Sequence, residues 1–492
     1  MARYDIVLRG GSVLDGTGAP AFSTDVAITG DRIAAIGPLA RGSGRQEIDV
    51  AGLTVAPGFI DVHTHDDRAL LATPTMAAKA SQGVTTVIVG NCGISLAPFA
   101  AGRPLPPPLD LIADDSARFT RFADYLDALD AAPAATNAAC LVGHSTLRVG
   151  AMDGLDRPAS DSEIAAMRRA LAEALAAGAI GLSSGLWYAP ANAAPRAELV
   201  ALAKDVSAAG ALYTTHMRDE ADHVLDSLDE TFAVGREAAL PVVISHHKVL
   251  GRQNFGRTQE TLPKIAAAIA AQPLGLDAYP YIASSTVLRP QNVPLALKVL
   301  ITWSKSRPEV AGRELQSIAE EWGVSEQEAC ARLQPAGAIY FMMNEADVRR
   351  VLAFEHTMIG SDGLPHDVHP HPRLWGTFAR VLGYYCREER LFSLPEAVRK
   401  MTGLPAMRFG LAGRGRLAPG AYADVTVFDA DEIMDRATFA EPTTPAAGIH
   451  LVLVNGKAVW QNGATTGARP GRALRRQRLQ REAAPPDPTP HG

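Results

Sequence analysis

Residues 58–65 read GFIDVHTH. A short apolar run opens after a glycine and ends in two histidines one residue apart. Along an extended chain, residues i and i+2 point to the same side, so His63 and His65 can converge on one ion. The run before them shows little polar alternation, as a strand covered on both faces should. A buried strand tipped with metal-binding side chains is therefore the unit to look for elsewhere in the chain.

Seven more runs share this texture. They are TTVIVGNC (85–92), AACLVGHS (138–145), AIGLSSG (179–185), LYTTHMR (212–218), PVVISHH (241–247), LGLDAYP (274–280) and TMIGSDG (357–363). Ala-rich helical stretches such as DSEIAAMRRALAEALAAG (161–178) and RAELVALAKDVSAAG (196–210) lie between them. Eight parallel strands with helical crossovers describe an α/β fold, a (β/α)8 TIM-type barrel, whose active site lies at the C-terminal strand ends. Most of the runs carry their polar residues there.

The flanks read differently. YDIVLRGGSVLDG, TDVAITGDRIAAIG and QEIDVAGLTVAPG alternate and turn on glycine near the start, and ADVTVFD and GIHLVLVNGKAVWQNG do so near the end. Asn455-Gly456 is a strong hairpin turn. The simplest arrangement is one small β-sandwich built from both ends, residues 1–56 and 413–480, around a barrel of 57–412. Residues 281–356 are longer than one helix requires, which predicts an inserted lid or subdomain over about 281–345. The Pro-rich GRPLPPPLD (102–110) interrupts the connection after the second run. The basic GRALRRQRLQR (471–481) reads as a surface helix, and the chain end (481–492) as a disordered tail.

Bulk properties narrow the function class. The 492 residues carry a net charge of −6, with 47% hydrophobic and 20% charged side chains. Nucleic-acid binding needs a basic face, so the net charge argues against nucleic acid as the main partner. No apolar run is long enough to span a bilayer, and MARYDIVLRGGSVLDG lacks the apolar core of a signal peptide, which predicts a cytoplasmic protein with no membrane association. Four scattered cysteines show no disulfide spacing.

Four further residues join His63 and His65 at run ends: Cys92 in VGNCG, His216 in TTHMRDE, His246 in ISHHK and Asp362 in IGSDG. Each alone could be a core residue. Barrel closure would bring all six around one mouth, where thiolate and imidazole suit zinc and a carboxylate completes a hydrolytic site. His247 is the adjacent alternative to His246, but alternation turns it away from the interior. His144 could support the site or touch substrate, and His366, His369 and His371 read as loop residues near the mouth.

The set NCG, THMRDE, SHHK, DAYPY, GSDGLPH and HPRLWGTF, following GFIDVHTH, resembles the N-acyl-D-amino-acid deacylase (D-aminoacylase) group of the amidohydrolase superfamily, over about residues 4–470. The resemblance implies a zinc hydrolase that removes the acyl group from N-acyl-D-amino acids. It implies that Cys92, His216 and His246 hold a tight zinc and that His63, His65 and Asp362 form a second, weaker metal position, with Asp362 also the catalytic acid and base. It further implies that Lys248, Tyr279 and Arg373 bind the substrate carboxylate, with Ser285 assisting. Trp187, Tyr340 and Met343 match positions that line the side-chain pocket, and favour apolar side chains such as Met, Leu and Phe. Three rival readings remain. A cyclic amidase of the hydantoinase kind typically bridges its metals with a modified lysine, a function that here falls to Cys92. A deacylase for N-acyl-D-glutamate or N-acyl-D-aspartate needs a cation at the side chain, for which Arg289 is the nearby candidate. An inactive scaffold would have lost ligands that are all present here.

Overall fold

The computed structural model describes residues 3–99, 102–103, 105–112 and 118–476. The chain opens with five short strands, β1 (Tyr4–Val13), β2 (Phe22–Thr29), β3 (Arg32–Gly37), β4 (Gly44–Asp49) and β5 (Thr54–Pro57). β1 pairs antiparallel with β2 and parallel with β4 and β5. Seven strands then alternate with helices: β6 (Phe59–Asp61), β7 (Val84–Val89), β8 (Asn137–Gly143), β9 (Gly181–Gly185), β10 (Leu212–His216), β11 (Val242–Ile244) and β12 (Leu274–Ala278). An insert follows with β13 (Ala283–Val287), β14 (Lys298–Ser304) and β15 (Ala336–Phe341), before the eighth barrel strand, β16 (Thr357–Ile359). The end of the chain adds β17 (Val425–Phe428), β18 (Ile449–Val454), β19 (Lys457–Gln461), β20 (Ala464–Thr465) and β21 (Ala473–Leu474).

The barrel is parallel throughout, in the order β6-β7-β8-β9-β10-β11-β12-β16. Its first and last strands meet just beyond their ends. Thr64 and Gly363 form a parallel bridge. The Asp362 amide donates to the His63 carbonyl at 2.6 Å, and the His65 amide to the Gly363 carbonyl at 3.0 Å. Closure therefore runs directly through residues expected at the site. Ile60, Ile88, Leu141, Ile180, Leu212, Val243 and Met358 fill the barrel interior as one apolar cluster. The metal-loving side chains are thus confined to the rim.

The surrounding helices follow from their sequence. The one at Asp161–Ala177 starts in a capping box between Ser160 and Glu163 and ends at Gly178, whose φ is 118°. Met167, Leu171, Ala174 and Leu175 form its buried stripe, at the helical period.

Both chain ends share one nine-stranded sheet, because β17 pairs antiparallel with β5. Leu8, Val26, Ile28, Val55, Val425, Val427 and Leu453 form its core. Asn455 and Gly456 both have positive φ, 47° and 76°, as a tight hairpin turn between β18 and β19 requires. The insert has its own antiparallel sheet, β13-β15-β14. Helices Leu315–Trp322 and Glu326–Leu333 contribute Leu315, Ile318, Cys330 and Leu333 to a separate core with Ile301 and Tyr340.

One expectation is corrected. The basic segment from 471 does not begin as a helix: Ala473–Leu474 is a strand that pairs with Ala138 and Ala139 of β8. Arg475 pairs with Asp130, and Arg476 donates to the Leu175 carbonyl. The arginines that suggested a solvated helical face instead fasten the chain end to neighbouring carboxylates and helix ends. The rest of that helix, and the tail, fall at 477–492, outside the described residues. Among the described residues, no helix is long and apolar enough to cross a membrane.

Candidate metal centre and substrate cleft

The ends of β6, β7, β10, β11 and β16 bring six side chains together. Cys92 Sγ lies 3.2 Å from His63 Nε2 and 3.4 Å from His246 Nε2. The His216 and His246 rings meet edge to face with centroids 4.5 Å apart. Asp362 Oδ1 lies 3.3 Å from His65 Nε2 and 3.6 Å from His63 Nε2. Three overlapping groups, His63–His65–Cys92, Cys92–His216–His246 and His63–His246–Asp362, each gather one ligand atom per residue within 4.8 Å. The donor set of thiolate, imidazole and carboxylate is what zinc selects, and it fits one ion or two.

Three of these residues sit at strand ends in a backbone region that non-glycine residues seldom enter. φ is 53° at Cys92, 36° at His246 and 50° at Asp362. Left-handed backbone at such residues costs about 1–3 kcal/mol each and persists where surrounding structure fixes it. Here the fixing contacts are visible. The His246 amide donates to Asp277 Oδ1 at 2.9 Å, and the Asp362 amide closes the barrel on His63. Gly93 follows Cys92 with its Cα so close to Gly185 that an added Cβ would lie 2.8 Å from the Gly185 nitrogen.

Electrostatics complement the geometry. Burial alone would raise the Cys92 thiol, but His63 and His246 outweigh it and hold it well below the ordinary thiol value. Of the three other cysteines, Cys330 and Cys386 are pushed up to about 11 by burial, and Cys140 goes well above its usual value for the same reason. Cys92 alone among the four is poised as a thiolate, the ligand form. Burial would likewise raise Asp362, but Arg373, His65 and the nearby imidazoles keep it well below the usual carboxylate range.

Beside this cluster lies a cationic cleft. Arg373 Nη1 is 2.9 Å from Asp362 Oδ2, and Nη2 donates to the Ser285 carbonyl at 3.1 Å. The guanidinium sits 4.6 Å from the Tyr279 ring centroid, and Lys248 Nζ 5.8 Å from the same ring. Lys248, Tyr279, Ser285 and Arg373 are thereby brought together. The Ser285 hydroxyl is buried without a hydrogen-bond partner among the described residues. Trp187 stacks on His216 with centroids 6.0 Å apart, and Arg289 stacks on Trp187 at 4.0 Å. Arg289 also borders a cavity of about 680 Å³ with Leu155, Pro190, Val287 and Trp303. Met343 packs with Tyr279 and Tyr281. Tyr340 lies in the insert's core, its hydroxyl donating to the Val287 carbonyl at 3.1 Å and accepting from the Arg289 amide at 2.8 Å.

The other histidines go elsewhere. His247 turns outward to Thr261 on helix Thr258–Ala271, at 2.9 Å. His144 is tied to Glu198 at 2.9 Å. His369 Nε2 reaches the Phe439 carbonyl. His371 bonds the Ala283 carbonyl through Nε2 and accepts the Arg373 amide at Nδ1, so it braces the backbone that carries the guanidinium.

Sequence reading missed two carboxylates. Glu220 lies 3.1 Å from His246 Nδ1, 3.6 Å from His216 Nε2 and 2.7 Å from Lys248. Asp277 supports His246 and lies 3.5 Å from His63 Nδ1. The signal for Glu220 was its place four residues after His216 in THMRDE. For Asp277 it was an acid inside an otherwise apolar barrel run.

A family model described as the amidohydrolase family matches residues 46–277 and 268–460. The chain is 58% identical to D-aminoacylase of Alcaligenes xylosoxydans xylosoxydans over 474 residues, covering 96% of this chain and 98% of that protein. It is 50% identical to N-acyl-D-aspartate deacylase of the same organism over 475 residues, covering 96% and 95%. A solved structure of N-acyl-D-glutamate deacylase from Bordetella bronchiseptica, complexed with zinc and a phosphonate inhibitor, superposes with a TM-score of 0.94 at 46% identity, over 96% of this chain and all of that one. With its metal-binding rim and closed barrel, the chain belongs to the amidohydrolase family, in the N-acyl-D-amino-acid deacylase group.

Proposed function

We propose that this protein is a zinc-dependent hydrolase of the amide bond of N-acyl-D-amino acids, releasing the free D-amino acid and a carboxylate. The observation that carries this is the joining of two devices: a thiolate–imidazole–carboxylate metal cluster, and a cationic cleft that begins at Arg373, 2.9 Å from Asp362. Cys92, His216 and His246 would hold the tighter zinc, and His63, His65 and Asp362 a second, weaker one. Bound zinc supplies a positive charge that polarises a carbonyl and acidifies water.

The chain's own residues do the rest. Arg373 offers a planar fork to the substrate α-carboxylate, and Lys248 a point charge, across the Tyr279 ring. Ser285 adds a buried hydroxyl beside them. Asp362 takes the proton of the attacking water on a carboxylate oxygen and returns it to the departing amide nitrogen. Glu220 fixes the His246 ring and the Lys248 ammonium together, and so holds the metal side and the carboxylate side in register. With the carboxylate and the scissile amide both anchored, the side chain fixes the hand of the substrate. The relatives' names support the D hand, and the apolar surfaces of Trp187 and Met343 support side chains such as Met, Leu and Phe.

A second reading has its own observation. Arg289 stacks on Trp187 with no ion-pair partner among the described residues, at the edge of a cavity whose walls are mainly apolar but also include Asp110 and Asp156. A half-buried guanidinium so placed favours an acidic side chain. The experiment is a hydrolysis panel of N-acetyl-D and N-acetyl-L forms of Met, Leu, Phe, Glu and Asp, with zinc content measured alongside. Turnover confined to D isomers is expected. Equal turnover of L isomers, or none of any D isomer by zinc-loaded protein, removes the proposal, and preference for Glu and Asp selects the second reading.

A further inference from the structure

Beneath the metal cluster lies a second charged group that the mechanism above does not use. Lys79, on the short helix Ala77–Ala80, is 1% exposed. Its Nζ reaches Asp61 Oδ2 at 2.7 Å, Ser361 Oγ at 2.8 Å, Thr64 Oγ1 at 3.0 Å and Asp66 Oδ2 at 3.2 Å. Asp61 and Thr64 flank His63, and Asp66 follows His65. Ser361 precedes Asp362. One ammonium therefore holds the tips of β6 and β16 from behind.

The secondary contacts run to the same places. Asp61 Oδ1 accepts the Ser361 amide at 2.8 Å and the His63 amide at 3.3 Å. Ser361 Oγ donates to Asp61 Oδ2 at 2.6 Å and accepts the Gly363 amide at 3.1 Å. Every side chain on Lys79 belongs to the two segments bearing His63, His65 and Asp362. Among the described residues, none belongs to the segments bearing Cys92, His216 or His246. The ammonium is thus wired to one half of the cluster only.

We infer that Lys79 is a positioning residue for the His63–His65–Asp362 half of the site, setting the affinity of the second metal position and the aim of Asp362 while leaving the Cys92–His216–His246 half alone. This rests on the ligand assignment proposed above. Partners behind metal ligands typically set metal affinity by about 10–100-fold. The left-handed backbone at Asp362, with φ 50°, makes the aim of that carboxylate depend on its neighbours.

The test uses full-length protein carrying one zinc, titrated with further Zn²⁺ by calorimetry, in wild type, Lys79→Met and Ser361→Ala. Met keeps an unbranched, flexible side chain, one heavy atom shorter, without its charge. In Lys79→Met the second zinc should bind about 10–100-fold more weakly. The first zinc should stay in place, and kcat for the best D substrate should fall by at least about tenfold with KM within about threefold, since none of the Lys79 partners is Lys248, Tyr279, Ser285 or Arg373. Ser361→Ala removes one neutral partner, leaves no unpaired buried charge, and should move both readouts the same way by a smaller factor. It decides the matter if Lys79→Met fails to fold. Wild-type values in Ser361→Ala, equal weakening of both zinc sites, or a wild type that binds no second zinc each overturn the inference. Zinc titration needs no substrate, so the inference can fail while the hydrolase reading stands, and the reverse.

Discussion

The Arg373 guanidinium stands 2.9 Å from the Asp362 carboxylate, with both side chains almost wholly inside the protein. One residue is proposed to read the substrate carboxylate and the other to move the proton, and they share an ion pair. An entering α-carboxylate competes with Asp362 for the same fork. Recognition of the substrate and the proton affinity of the base are then coupled: as the guanidinium turns part of its charge to substrate, Asp362 is released from the interaction that depresses it.

Arg373→Ala should therefore act on the carboxylate arm of the substrate. For N-acetyl-D-methionine, kcat/KM should fall by about two to four decades, the scale of losing a buried charged partner. Arg373→Lys keeps the charge but loses the fork and should still hurt markedly. The corresponding amide, which lacks the carboxylate, should lose far less on the same mutation. Crossing mutation with substrate measures the coupling, and equal losses for acid and amide would mean that Arg373 only supports structure.

The two halves of the metal cluster should separate by mutation. Cys92→Ala removes the thiolate that lies within 3.4 Å of both His63 and His246 nitrogens, and should empty the tight zinc and abolish turnover. Asp362→Ala should keep the tight zinc and lose about 10²–10⁴-fold in kcat, the usual scale of a general acid–base. Zinc analysis beside steady-state kinetics reads both. Wild-type zinc in Cys92→Ala, or near-normal kcat in Asp362→Ala, would break the assignment.

Much of this was legible in the residues. All eight barrel strands fall on the eight apolar runs, most of which end in polar residues, because a strand buried on both faces leaves little room for other patterns. His246 was separable from His247 by alternation, and the structure turns His247 to Thr261. What stayed hidden depends on long-range pairing. Lys79 looks like an ordinary helix-surface lysine in TMAAKASQG until barrel closure brings Asp61, Asp66 and Ser361 around it. Tyr340 matched a pocket position by resemblance, yet its place in the insert's core follows from the pairing of β15 with β13 and β14. The basic segment after 471 was misread because charge alone does not say whether arginines face water or neighbouring carboxylates and carbonyls.

Glu198 offers a stability test away from the chemistry. Its carboxylate, on helix Arg196–Ala208, accepts Arg148 Nη1 at 2.5 and 2.7 Å and lies 2.9 Å from His144 Nε2. Burial pushes its pKa up, but His144 and Arg148 outweigh this and bring it from 4.5 down to about 2. A carboxylate lowered in the folded state contributes stability that is fully present above its unfolded value and is lost as pH falls through its folded value. The window here runs from about pH 4.5 down to about 2, and the contribution is on the order of 3 kcal/mol at neutral pH. Glu198→Gln should be less stable than wild type at pH 7, because Arg148 is then buried without its counter-charge. As the wild type loses its advantage in acid, the gap between the two melting temperatures should begin to narrow near pH 4.5, fall to about half by pH 3 and close toward pH 2. Thermal scans of both proteins across that range, each zinc-loaded so that acid loss of metal affects both alike, give the difference directly. A gap that keeps the same size from pH 7 to pH 3 would show that Glu198 does not carry the acid sensitivity, and that its contacts with Arg148 and His144 contribute packing rather than charge.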